Sequence, residues 1–291
     1  MIYHKPVLLK EVIGYLKPKE NKEYIDVTAG GGGHTLELLK KKARVLAIDR
    51  DPEAIEYIKK NQYKFLSSGN LVLVKQNFAN LAEIAKNWNF KKNNGILFDL
   101  GVSSWQLENE TRGFSFDKSG PLDMRMDPEL GICAKDIINN FNERRLYEVF
   151  KTYGQEKFSR TIARAICRAR QVKTIETTAE LSLIVKEVYQ KRNIRSKLHP
   201  ATKTFLALRI VVNSELLNLE KCLPQTVDLL KKGGRLVIVS FQSLEDVIVK
   251  RFFKQEKKMK VLTKKPIVPD ILEILKNPRA RSAKLRVAER I

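Results

Sequence analysis

The chain has 291 residues, 43% of them hydrophobic, enough for a full core and for one domain carrying an insertion. Lys and Arg number 55 against 33 Asp and Glu, and the net charge of +22 points to a polyanionic partner such as nucleic acid, a Lys-rich genome being the plainer alternative. The longest apolar runs, such as residues 236–239, are far too short to span a bilayer, so no membrane partner is expected. Residues 1–10 show no signal-peptide pattern, and a cytoplasmic, reducing setting is expected. Cys133, Cys167 and Cys222 are scattered, which gives neither a disulfide framework nor metal-ligand spacing, so no metal site is expected.

In chain order, a short helical pattern through Val12, Ile13 and Leu16 leads into an apolar run at Tyr24-Ile25. The stretch Asp26-Val27-Thr28-Ala29-Gly30-Gly31-Gly32-Gly33-His34 follows, and then an amphipathic segment over residues 36–39. This reads as strand, glycine turn, helix. A run of glycines lets the backbone lie directly against a ligand, and the helix behind it aims N–H groups and a positive dipole end the same way. Taken alone the loop also fits a flexible turn, because Thr35 stands where a third dinucleotide-binding glycine would be. Residues 43–48 read as a second strand ending at Asp49, a carboxylate about 20 residues past the loop, where it can accept the hydroxyls of a ribose. Asp51 and Pro52 are the N-cap and first turn of the next helix. Residues 71–74 are a third strand, with Phe78 after it. A helix over 81–88 precedes a fourth strand, 95–98, that ends at Asp99. A long helix is expected from Lys203 to about Leu219, broken near Pro224, with a second piece to Leu230. A strand over 235–240 follows, and two final strands lie at 260–263 and 284–291. The whole is an α/β, Rossmann-like sheet.

Between Asp99 and the long helix, residues 101–128 are loop-like and 134–195 are helical in pattern. Phe158, Ile162, Ala165, Ile166 and Ala169 form an apolar face. Arg160, Arg164 and Arg168 form a basic one, either an RNA-binding stripe or a solvated face. Residues 144–209 hold 16 basic and 5 acidic residues, a net +11. The expected division is 1–110 and 201–291 for the α/β domain, with 111–200 as an inserted all-helical domain.

The glycine loop, Asp49, Phe78 and Asp99 converge on one sheet edge. S-adenosylmethionine suits all four: a close backbone approach, a ribose diol, an adenine face, and a carboxylate at the reacting end. NAD suits them in part. Judged alone, Phe78 is as well explained as a core aromatic.

Long motifs then carry a resemblance. They include His4-Lys5-Pro6-Val7-Leu8-Leu9, Gly32-Gly33-His34, Asp99-Leu100-Gly101-Val102-Ser103-Ser104, Arg112-Gly113-Phe114-Ser115-Phe116, Gly120-Pro121-Leu122-Asp123-Met124-Arg125-Met126-Asp127, Ser243-Leu244-Glu245-Asp246 and Asn277-Pro278-Arg279-Ala280-Arg281-Ser282. Over essentially its whole length the chain resembles the RsmH (MraW) family of cytosine-N4 methyltransferases. The resemblance implies a class I S-adenosylmethionine-dependent fold, with Gly32, Gly33, His34, Asp49, Phe78, Asp99 and Gln106 lining the S-adenosyl-L-methionine site. It implies a cytidine in the decoding centre of 16S ribosomal RNA, within the small ribosomal subunit, as substrate; a homodimer is left open. Asp99 is the candidate catalytic acceptor of the amine hydrogen bond. One of Trp105, Phe114 and Phe116 could stack on the displaced base, core or loop packing being the plainer reading for any one of them. Arg279 and Arg281 join Arg160, Arg164 and Arg168 as candidate RNA contacts. Trp105 stands where the family usually has Pro, and Gln242 where it usually has His, which puts any acid–base role at 242 in doubt.

Overall fold

A computed structural model describes residues 6–194 and 198–291; His4 and Lys5 of the leading motif lie outside it. The chain forms two compact units: residues 6–103 with Leu216–Ile291, and Ser104–Glu215. The expected insertion was 111–200. The later end follows from Asn213, whose buried amide donates to the Met124 carbonyl at 2.7 Å and accepts from the Met126 N–H at 2.8 Å. That pair fastens the helix Thr202–Asn213 to the loop that opens the insertion. The long helix expected from Lys203 to Leu219 is two helices. Ser214 takes a left-handed conformation, φ 50°, between Thr202–Asn213 and Glu215–Leu229, and Pro224 lies inside the second.

The first unit is built on seven strands: β1 (Glu23–Asp26), β2 (Arg44–Asp49), β3 (Leu71–Lys75), β4 (Asn93–Asp99), β5 (Leu230–Ser240), β6 (Met259–Val261) and β7 (Lys284–Arg290). Their order is β3-β2-β1-β4-β5-β7-β6. The first five run parallel, and β7 pairs antiparallel with both β5 and β6. This is the Rossmann-like α/β sheet that the sequence leads one to expect. Strand β5 begins at Leu230, earlier than 235, and its pairing with β4 shifts register between Asn93 and Gly95.

Both sheet faces are covered, so the central strands read as continuous apolar runs that alternate which side they serve. Ile25, Leu46, Ile48, Ile96, Phe98, Leu236 and Ile238 pack with Leu81, Ile84, Leu219, Leu223 and Val249 on one side. Tyr24, Val45, Ala47, Leu97, Val237 and Val239 pack with Val12, Leu16, Leu38 and Ile58 on the other. The order reverses between β1 and β4. At such a switch point the loops leaving the two strands part in opposite directions and open a crevice at the carboxyl edge.

The second unit is helical: Ala134–Asn140, Glu143–Thr152, Ser159–Val172, Thr178–Gln190 and Thr202–Asn213. Ile162 and Ile166 are fully buried, as the apolar stripe requires, while Arg160, Arg164 and Arg168 are exposed. The loop ahead of these helices is folded back on itself. Gly113 has φ +70°, and a Cβ there would run into the Pro121 carbonyl. Arg112, 7% exposed, donates to the carbonyls of Arg125 and Met126 at 3.1 and 2.9 Å. Among the described residues, no helix is long and apolar enough to cross a membrane.

Candidate active site

The site is built where β1, β2 and β4 end. After Asp26 the chain turns through the glycines, and the helix Gly33–Lys40 starts with Gly32 as its N-cap, φ 72°, with no side-chain cap. Only glycine fits at 32: besides the positive φ, a Cβ would collide with the Gln62 amide, which instead donates to the Gly32 carbonyl at 2.9 Å. A helix start of this kind aims its dipole's positive end at whatever lies before it.

Asp49 stitches the loop to the second half of the unit. One carboxylate oxygen accepts from the Gly30 N–H at 2.7 Å and the other from the Asp51 N–H at 2.9 Å. Asp51 caps Pro52–Asn61 through the Glu53 N–H, as expected. Each Asp49 oxygen keeps a lone pair for a hydroxyl after its backbone bond. Burial raises the Asp49 pKa above the ordinary carboxylate value, and the two backbone bonds oppose it.

Asp99 is held at two points. Its N–H donates to the Thr28 hydroxyl at 2.6 Å, and its Oδ2 lies 3.4 Å from His34 Nδ1, with both side chains buried. Phe78 opens a short 3₁₀ turn after β3 and packs edge-on against Phe98, ring centroids 5.8 Å apart. Thus Gly32, Gly33, His34, Asp49, Phe78 and Asp99 gather at one sheet edge in the first unit. Gln106 belongs to the second, buried in the helix Ser104–Glu108.

Sequence reasoning quoted Asp26 as part of the loop pattern without giving it a role. The structure makes it the buried anchor of the loop. Asp26 is 1% exposed, accepts from the Thr35 hydroxyl at 2.7 Å, and lies 3.3 Å from the Thr28 N–H. Burial above all, with the like charges of Asp99 and Asp49, pushes its pKa to about 7 against the Thr35 and Thr28 bonds. The signal was legible: an acid closing an otherwise apolar strand, with a hydroxyl in the first turn of the helix that follows. Three carboxylates at neighbouring strand ends make this edge electronegative. That suits a nucleoside ligand carrying positive charge and opposes a pyrophosphate.

Phe116 and Gln242 each have a partner within the fold. Phe116 is stacked flat on His199, ring centroids 4.4 Å apart, with Phe205 edge-on at 5.6 Å. Phe114 is 5% exposed. Phe114 is thus a packing aromatic of the second unit, while Trp105 and Phe116 are both half-buried, Phe116 with one ring face taken by His199. Gln242 has a local reason to differ from the family pattern. It caps Ser243–Gln255, its side-chain amide donating to Glu245 at 3.1 Å while Glu245 takes the N–H groups of Phe241 and Gln242.

The family profile described as "MraW methylase family" matches residues 1–291. A chain from Halothermothrix orenii named ribosomal RNA small subunit methyltransferase H is 47% identical, the match covering 100% of this chain and 99% of that one. One of the same name from Thermosipho melanesiensis is also 47% identical, covering 99% and 98%. Among solved structures, an rRNA methylase from Streptococcus thermophilus aligns over 99% of this chain and 98% of that one at 12% identity, with a TM-score of 0.45.

The Asp26 geometry gives a testable pH dependence. A carboxyl raised from the usual unfolded value near 4 to about 7 binds its proton more tightly in the folded state. Its stabilising contribution is therefore complete below about pH 4 and is lost as pH rises through 7. Chemical denaturation of the wild type and of Asp26→Asn across pH 4–8 should show the wild type losing stability relative to the variant, by on the order of a few kcal/mol. A constant difference across that range would mean that Asp26 is ionised throughout.

Proposed function

The chain belongs to the MraW methylase family, and from that membership we propose that it transfers a methyl group from S-adenosylmethionine to the N4 amine of a cytidine in the decoding centre of 16S ribosomal RNA, within the small subunit. The observation that carries this reading is the glycine loop stitched to Asp49 beside two further strand-end carboxylates, Asp26 and Asp99, at the edge of a class I sheet.

The residues fit the donor. Asp49 accepts the ribose hydroxyls through its remaining lone pairs, and Phe78 lies beside the adenine. Gly32, Gly33 and His34 offer backbone at the helix start, and Gln106 completes the set by resemblance. The acidic edge favours the sulfonium. S-adenosylmethionine supplies an activated methyl group, so the protein needs little acid–base chemistry of its own. The cytosine amine is a poor nucleophile because its lone pair is delocalised into the ring. Its N–H groups must be held so that the lone pair turns toward the methyl, and orientation supplies most of the rate. Asp99 is the acceptor we assign to that amine. The base leaves its stack to reach it.

The helical unit grips the RNA backbone. Arg160, Arg164 and Arg168 stand exposed on Ser159–Val172. Arg160 lies 5.2 Å from the centre of the Tyr147 ring, and Lys151 lies 5.4 Å from it. Hydrogen bonding from Lys151, then the nearby charges, holds the Tyr147 phenol below its ordinary pKa. Tyr147 and Lys151 were not singled out from sequence, although their spacing of four on one helix face is the visible signal. Arg279 and Arg281, exposed on the turn Pro278–Ser282, are further phosphate contacts in this reading.

Mass mapping of 16S ribosomal RNA from cells lacking the protein should show one cytidine without its base methyl, restored by the wild-type chain. An unchanged map would contradict the assignment. Reversing Arg160, Arg164 and Arg168 together to Glu should weaken RNA binding and reduce its log–log salt slope by about 2, as lost phosphate contacts no longer release counterions. Affinity for S-adenosylmethionine should be unchanged. An unaltered slope, with helicity intact by circular dichroism, would put the RNA on another face.

A further inference from the structure

Asp99, assigned above to the target amine, is tied to the cofactor loop and its helix at two points. Its main chain is tied to Thr28, whose hydroxyl accepts the Asp99 N–H at 2.6 Å. Its carboxylate is met by His34, two residues into the loop's helix, with Nδ1 3.4 Å from Oδ2. Both side chains are shielded from water, at 5% and 8% exposure. At that depth a carboxylate is costly unless charged or hydrogen-bonding groups answer it. The need is sharpened here because Asp26 stands close enough for its own pKa to be raised by the Asp99 charge. His34, from the helix that follows the loop, brings a ring nitrogen to this carboxylate.

We propose that His34 is a positioning residue for methyl transfer, acting through Asp99 and not only as part of the cofactor cradle. It holds Oδ2 and so sets the orientation in which the carboxylate meets the N–H of the attacking amine. In the transfer step the amine nitrogen forms the N–C bond as the C–S bond breaks, with its electron pair going to sulfur. The nitrogen then sheds its proton to the Asp99 carboxylate. The arrangement makes loop and acceptor a single mechanical part, so the structure that receives the donor also aims the group that receives the proton. A carboxylate that swings by an ångström loses the geometry on which such catalysis depends.

The inference rests on the methyl-transfer reading and is tested with single-turnover methylation of small subunits by the full-length protein, both S-adenosylmethionine and RNA saturating. Four proteins are compared: wild type, His34→Leu, Asp99→Asn and the double variant. Cofactor affinity is measured separately by calorimetry. His34→Leu should slow the saturated rate by about 10- to 100-fold, and the double variant should be no slower than Asp99→Asn alone. His34→Asn, whose amide can still donate to Oδ2, should recover part of the rate; it also serves if the Leu variant does not fold. Multiplicative losses in the double variant would mean that His34 acts independently of Asp99. A His34→Leu rate restored to wild type by saturating cofactor would reduce it to a binding residue. Either result overturns the proposal. Wild-type protein that leaves the subunits unmethylated would instead refute the substrate reading.

Discussion

The bond on which the site depends is the one from the Gly30 N–H to the Asp49 carboxylate, 2.7 Å long. A run of glycines has no side chains with which to hold its own shape, and its conformational entropy favours disorder. Asp49 resolves this from the end of the neighbouring strand. With its second oxygen on the Asp51 N–H, it joins the loop after β1 to the helix after β2. The parallel register that sets Asp26 beside Ala47 brings these strand ends level. Gln62 then clamps the Gly32 carbonyl from the far end of the same helix segment. The loop is thus defined by groups outside it, and it can present bare backbone to a ligand without collapsing.

The same crowding carries an electrostatic cost. Asp26, Asp49 and Asp99 close neighbouring strands, and burial raises the first two above the ordinary carboxylate range. Acidic groups assembled in this way are tolerated where a positively charged ligand or a bound proton offsets them. A sulfonium does so and a pyrophosphate does not. This separates the two ligands that the loop pattern alone leaves open, more firmly than the missing third glycine. By contrast, Asp246 is paired: burial pushes its carboxyl up, but the Arg286 guanidinium 2.6 Å away and the Lys284 ammonium bring it below its usual value. That carboxylate, from one of the long motifs, belongs to the framework of the sheet.

Local chemistry was legible in the sequence wherever a residue acts on its neighbours. The Asp51 cap with Pro52 behind it, the glycine turn and the alternating strands all follow from short-range rules. Contacts between residues far apart in sequence were not legible. Ser214, at φ 50°, breaks a helix that its periodicity would continue. Pro224 was a reasonable place for a break, yet the helix runs through it. The stacking of Phe116 on His199, 83 positions further on, has no local signal. Gln242, where an acid–base role is in doubt, donates its side-chain amide to Glu245 at the start of the helix. Gly113 lies in a stretch that reads only as loop, and it is required because a carbonyl occupies the space a side chain would need.

The central claim is that this edge is shaped and charged for S-adenosylmethionine. Calorimetric titration of the purified chain with S-adenosylmethionine and, separately, with NAD tests it most directly. The account predicts saturable one-site binding of S-adenosylmethionine that an excess of NAD does not displace. Binding of NAD with equal or greater affinity, in competition with S-adenosylmethionine, would contradict it.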